Sequence, residues 1–88
     1  MLRISVINES DGNIRLTVEG RLVGPWVEGL REQSERALSE ARIVTLDLEK
    51  LWFADSSGAA LLRQLADRHV AQLNCSSFIS QQLKETNV

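Results

Sequence analysis

An α/β fold, a small four-stranded mixed sheet carrying three helices, is predicted by three features of this sequence. Two alternating apolar runs separated by a polar, turn-forming stretch stand at the amino end, as in a hairpin. Further on come stretches whose apolar residues recur every three or four positions, the helical period. From there strand and helix patterns alternate, which is the order that crossover connections require.

The elements follow in chain order as β-β-α-β-α-β-α. Leu2, Ile4 and Val6 alternate with Arg3 and Ser5, and Glu9-Ser10-Asp11-Gly12-Asn13 supplies the turn. Ile14, Leu16 and Val18 then alternate with Arg15, Thr17 and Glu19 in a second strand that Gly20 is expected to end. Gly24-Pro25 opens a helix, since proline at the first helical position loses no hydrogen bond. Along it Trp26, Val27, Leu30, Ser34, Ala37, Leu38 and Ala41 form an inward side, with Trp26 expected in the core, while Glu28, Arg31, Glu32, Glu35, Arg36 and Glu40 face water. Arg42 leads into a central strand marked by Val44, Leu46 and Leu48, which the crossover should place parallel to a hairpin strand.

After that strand a loop is expected, with Leu51 and Phe53 as inward anchors and Trp52 turned outward. Asp55-Ser56-Ser57-Gly58 precedes Ala59, Ala60, Leu61, Leu62 and Leu65, so the tetrapeptide sits at the start of a helix running to Asp67 or Arg68. First-turn N–H groups lack intrahelical partners, so an Asp or Ser there caps them and an anion is tolerated. Val70 to Cys75 reads as a short last strand, Ser76 or Ser77 as the cap of a final helix carrying Phe78, Ile79, Gln82 and Leu83, and Lys84 to Val88 as a fraying end.

Composition narrows the function. The 88 residues make a single domain, 1–88, without linkers, and a net charge of −2 leaves no basic stripe for nucleic acid. No apolar run reaches membrane-spanning length and Met1-Leu2-Arg3 runs directly into a strand pattern, so a cytoplasmic location is expected. Cys75 is the only cysteine and reads as a small apolar filler; His69, the only histidine, reads as a helix-end residue, and no metal or cofactor is implied. Asp55, Ser56 and His69 include the residue types of a hydrolytic triad, but nothing in the sequence brings them together. Gly-x-Ser-x-Gly is absent, and so is a glycine-rich loop with lysine. A binding module, not an enzyme, is the expectation.

The stretch Val44 to Leu62 resembles the signature of the STAS family, the sulfate-transporter and anti-sigma factor antagonist domains, in which a strand leads to an Asp-Ser-Ser-Gly-like run. Val18-Glu19-Gly20-Arg21-Leu22 and Asn74-Cys75-Ser76-Ser77-Phe78 add weaker likeness, and the order of elements agrees. Two departures stand out: the segment from Gly58 to Ser76 is short, and the chain stops after the third helix, leaving an edge strand open to pairing with a second copy or a partner.

The resemblance implies a bacterial anti-sigma factor antagonist in which Ser56, the first serine of the run, is phosphorylated by a partner that is both anti-sigma factor and serine kinase. Asp55, Ser56, Ser57 and Gly58 would form the partner-binding loop, with Ser57 a secondary acceptor and Asp55 either orienting the hydroxyl or capping the helix. Trp52 joins this surface, where family members usually carry a smaller residue. Read without the family, the same tetrapeptide is an N-cap with a tight turn. Within the family, the alternatives are a subunit docking unphosphorylated on the ATPase of a phospholipid-transport ABC system, or a structural component of a signalling complex.

Overall fold

The computed structural model describes residues 1–9, 12–41 and 43–85, with side chains through Gln81. Strands β1 (Leu2–Asn8), β2 (Asn13–Leu22), β3 (Ile43–Ala54) and β4 (Ala71–Leu73) form one sheet in the order β1-β2-β3-β4. Helices α1 (Pro25–Glu40), α2 (Ser56–Asp67) and α3 (Ser77–Glu85) complete the predicted β-β-α-β-α-β-α order. β1 and β2 are antiparallel, with Leu2 opposite Gly20 and Asn8 opposite Ile14. The crossovers through α1 and α2 make β3 parallel to β2 and β4 parallel to β3, as a helical return between neighbouring strands must.

One sheet face is dry. Ile14, Leu16 and Val18 of β2 and Val44, Leu46 and Leu48 of β3 are buried against Leu30 of α1, Leu61, Leu62 and Leu65 of α2 and Ile79 of α3. Their neighbours Arg15, Thr17, Glu19, Thr45 and Asp47 alternate to the opposite face and are only half-buried. The molecule is therefore two layers, with helices on one side and a polar sheet surface on the other.

Several expectations need correcting. β3 does not end at Leu48 but runs on to Ala54. Its register against β2 shifts between Thr17 and Glu19 and again between Gly20 and Arg21, so the strand carries two bulges. The inward residues are consequently Val44, Leu46, Leu48, Leu51 and Ala54, and the three-residue steps after Leu48 hide the strand from a period-two reading. The Asp47 carboxylate accepts the Glu49 N–H at the first bulge (3.1 Å). Phe53 is not an inward anchor: it pairs with exposed Arg21, and Ala54 takes the buried place beside Leu22. Nor does β2 stop at Gly20; it reaches Leu22.

Trp26 also needs correcting. It is 44% exposed rather than in the core. Val27, Leu30, Ser34 and Ala37 define the stripe that α1 buries, and Trp26 stands at its margin in the first turn. The last strand is also shorter than the expected Val70 to Cys75 and pairs only over Ala71–Leu73. Pro25 opens α1, Ser76 caps α3 by accepting the Ile79 N–H at 3.1 Å, and Cys75 packs half-buried against the core. His69 follows α2 as an exposed residue with φ 67, its N–H donating to the Ala66 carbonyl. Ser10, Asp11, Arg42 and residues 86–88 of the expected frayed end lie outside the described residues, and α3 is helical to Glu85.

Candidate functional site

The site forms where β3 gives way to α2. Asp55 leaves the strand with extended backbone and its N–H donates to the Leu22 carbonyl (3.1 Å), continuing the β2–β3 pairing by one step. Its side chain then turns back on the chain. Oδ1 accepts the Gly58 N–H (2.8 Å) and the Ser57 hydroxyl (3.0 Å), an N-cap of α2. Oδ2 accepts the Gly24 N–H (2.9 Å), across from the turn that opens α1. One carboxylate thus ties together the starts of both helices.

Two glycines make that junction possible. Gly24 has φ 54, a left-handed conformation that aims its N–H at Asp55. Gly58 lies so close to β2 that a Cβ there would meet the Leu22 carbonyl oxygen at 2.5 Å. Partial burial pushes the Asp55 carboxyl up, but the hydrogen bonds from Gly24, Gly58 and Ser57 outweigh it and hold the group below the ordinary carboxylate value.

Ser56 is placed differently from its neighbours. It occupies the first position of α2, it is exposed, and no hydrogen bond to its hydroxyl is found among the described residues. Ser57 is exposed as well, yet its hydroxyl is already donated to Asp55. Of the two roles open to Asp55, capping is the one its oxygens perform. Ser56 therefore presents the one hydroxyl of the run that is not engaged among the described residues, at the positive end of the α2 dipole.

An aromatic surface lies along the end of β3 that leads into this turn. Trp52 is 61% exposed, as the outward reading required, and Phe78 of α3 is 53% exposed. The Phe53 and Phe78 rings lie 6.2 Å apart. The Arg21 guanidinium stands 5.4 Å from the Trp52 ring centre and 5.5 Å from that of Phe53, a cation–π arrangement with both. Sequence reading missed Arg21, Gly24 and Phe78 here. The first two come to Trp52 and Asp55 only through the β2–β3 register and the α1 turn, which no local pattern encodes. Phe78 was legible as a helix residue but not as one left outside the core.

The hydrolytic arrangement does not form. His69 lies past the far end of α2, whose 12 residues span about 18 Å, while Ser56 is at its start. Both Asp55 oxygens are engaged elsewhere. Among the described residues no cluster of His, Cys, Asp or Glu is arranged to hold a metal ion, and no helix is long and apolar enough to cross a membrane.

A one-sided α/β sheet whose third strand delivers a capped Asp-Ser-Ser-Gly turn has counterparts among known proteins. The STAS domain model matches residues 5–85, and the chain belongs to that family. Among solved structures it is similar to the anti-sigma factor antagonist SpoIIAA in its unphosphorylated form, with TM-score 0.72 and 20% identity, covering 97% of this chain and 81% of that one. The Bacillus cell fate determinant SpoIIAA in its phosphorylated form superposes with TM-score 0.68 at 21% identity, covering 96% and 83%. An antisigma-factor antagonist STAS domain from Rhodobacter sphaeroides gives TM-score 0.65 at 22% identity, covering 83% and 86%. At such identities the likeness is one of fold. No curated protein matches the sequence.

Proposed function

We propose that this STAS domain is an anti-sigma factor antagonist-like module that docks on a partner protein through Trp52 and the Asp55–Gly58 turn and is switched by phosphorylation of Ser56. The observation that carries the reading is the division of labour in the turn: Asp55, Ser57 and Gly58 are committed to structure, while the Ser56 hydroxyl is exposed and has no hydrogen-bond partner among the described residues. The partner class is an anti-sigma factor with serine kinase activity, and the effect on transcription is indirect. Similarity to structures described as unphosphorylated and phosphorylated SpoIIAA supports the choice of class.

The switch is electrostatic. A phosphate adds about −1.5 to −2 charges next to Asp55 at neutral pH. At a helix N-terminus this charge leaves the fold intact, but it opposes a partner surface that must desolvate against Trp52. Affinity purification of the tagged protein from its own cells tests this. Wild type and Ser56→Ala should retain the same protein; Ser56→Asp should lose it with an unchanged thermal melt. Trp52→Ala should weaken it by about 2 kcal/mol, as loss of an exposed aromatic anchor does. Normal binding by Ser56→Asp contradicts the switch, and retention of a transporter ATPase regardless of Ser56 points to the constitutive docking role.

A further inference from the structure

The aromatic surface at the end of β3 holds a cation that no anion answers. Arg21 stands on β2 opposite Phe53, one residue before Leu22, whose carbonyl accepts the Asp55 N–H. Its guanidinium lies 5.4 and 5.5 Å from the Trp52 and Phe53 ring centres, and among the described residues it makes neither an ion pair nor a side-chain hydrogen bond. The carboxylates that could have served it are taken. Glu19, two residues back along β2, pairs with Lys50 at 3.8 Å, and both Asp55 oxygens accept from Gly24, Ser57 and Gly58. Arg15, Arg31 and Arg68, by contrast, have such partners in Glu9, Glu28 and Glu35. Stacking on rings restrains a long side chain without consuming its N–H donors, and those donors form the planar fork that fits a carboxylate.

We propose that Arg21 is the specificity-determining residue of the docking surface, and that it takes one Asp or Glu side chain of the partner protein, set among apolar residues that cover Trp52 and Phe78. The inference rests on the docking reading above and names the partner chemistry which that reading leaves open. One cation matches one carboxylate. A phosphate group on the partner, with about −1.5 to −2 charges, would call for a second free cation, and Lys50, two residues before Trp52 on β3, is paired with Glu19. Covering the rings removes water from around the ion pair, which strengthens the right charge and makes the wrong one costly. The direction of the switch follows from the same pair. A phosphate on Ser56 adds negative charge at the start of α2, where a partner that brings its own carboxylate is repelled and a basic one would be drawn in.

Selection of a random-peptide display library on the full 88-residue chain is the test, with the affinity of the enriched peptides read by fluorescence anisotropy. Enriched peptides should share an acidic residue flanked by aliphatic or aromatic ones. Arg21→Gln should weaken the best of them at least about ten-fold, and Arg21→Lys, which keeps the charge but not the fork, should recover only part of that loss. Neither should change the thermal melt, since the side chain is exposed. Arg21→Glu should instead prefer the version of the peptide in which lysine replaces the acidic residue, an exchange that a purely structural role would not produce. No enrichment, a consensus without an acidic residue, wild-type affinity in Arg21→Gln, or no exchange of preference in Arg21→Glu would overturn the proposal and leave the Ser56 switch standing. Binding lost in Arg21→Gln but undiminished in Ser56→Asp would uphold Arg21 as the anchor and contradict the switch.

Discussion

Asp55 shows how far a single side chain can organise this protein. It was legible as a helix cap, because an acidic residue followed by Ser-Ser-Gly and an apolar helical face has few other uses. Its second bond, to Gly24, was not legible, since the two residues are brought together only by the β2–β3 pairing. Gly58 was readable as the glycine of a tight turn, and the structure adds what requires it: its close approach to the Leu22 carbonyl. Gly58→Ala should therefore destabilise the domain by about 1–3 kcal/mol, the cost of overpacking a tight contact, although alanine is the better helix former. Urea unfolding measures this, and an unchanged or raised midpoint would show that the α2–β2 contact yields easily.

At the scale of elements, the hairpin, the start of α1 at Pro25 and the start of α2 at Ser56 were written locally, in alternation, proline placement and capping chemistry. What failed was local pattern meeting tertiary pairing. The two bulges of β3 change its inward spacing from two residues to three, so a strand of 12 residues looks like a short strand and a loop. The same bulges decide the site. They leave Trp52 as an extra residue between the Gly20–Leu51 and Arg21–Phe53 pairs and carry Phe53 out of the core beside Arg21. In α1, Trp26 looks apolar enough for the core, but the stripe through Val27, Leu30 and Ala37 is filled without it.

Across the whole molecule, stability should depend on acid in a way the two structural aspartates set. Hydrogen bonds from Asn74 and the Glu49 N–H hold the Asp47 carboxyl below its ordinary value, and Asp55 is held down by its three donors against the upward push of burial. Both groups thus bind protons more weakly folded than unfolded. Their contribution is fully present above the unfolded value of about 3.9 and is lost as pH falls through the folded values. Unfolding midpoints measured from about pH 6 down to about pH 3 should fall for wild type and fall less for Asp55→Asn, which keeps a cap but cannot titrate. Equal slopes would mean that Asp55 does not carry the effect.

The family and the layered fold were within reach of the sequence because they rest on element order and one motif, whereas the Arg21–Trp52–Phe78 surface required the assembled sheet and α3. The central claim remains the free hydroxyl of Ser56. It is tested most directly by the intact mass and fragment masses of the protein recovered from its own cells, beside Ser56→Ala. A single phosphate on the peptide holding Ser56, absent from the variant and not transferred to Ser57, is the predicted result. A phosphate on Ser57, or none under any growth condition, would contradict the claim.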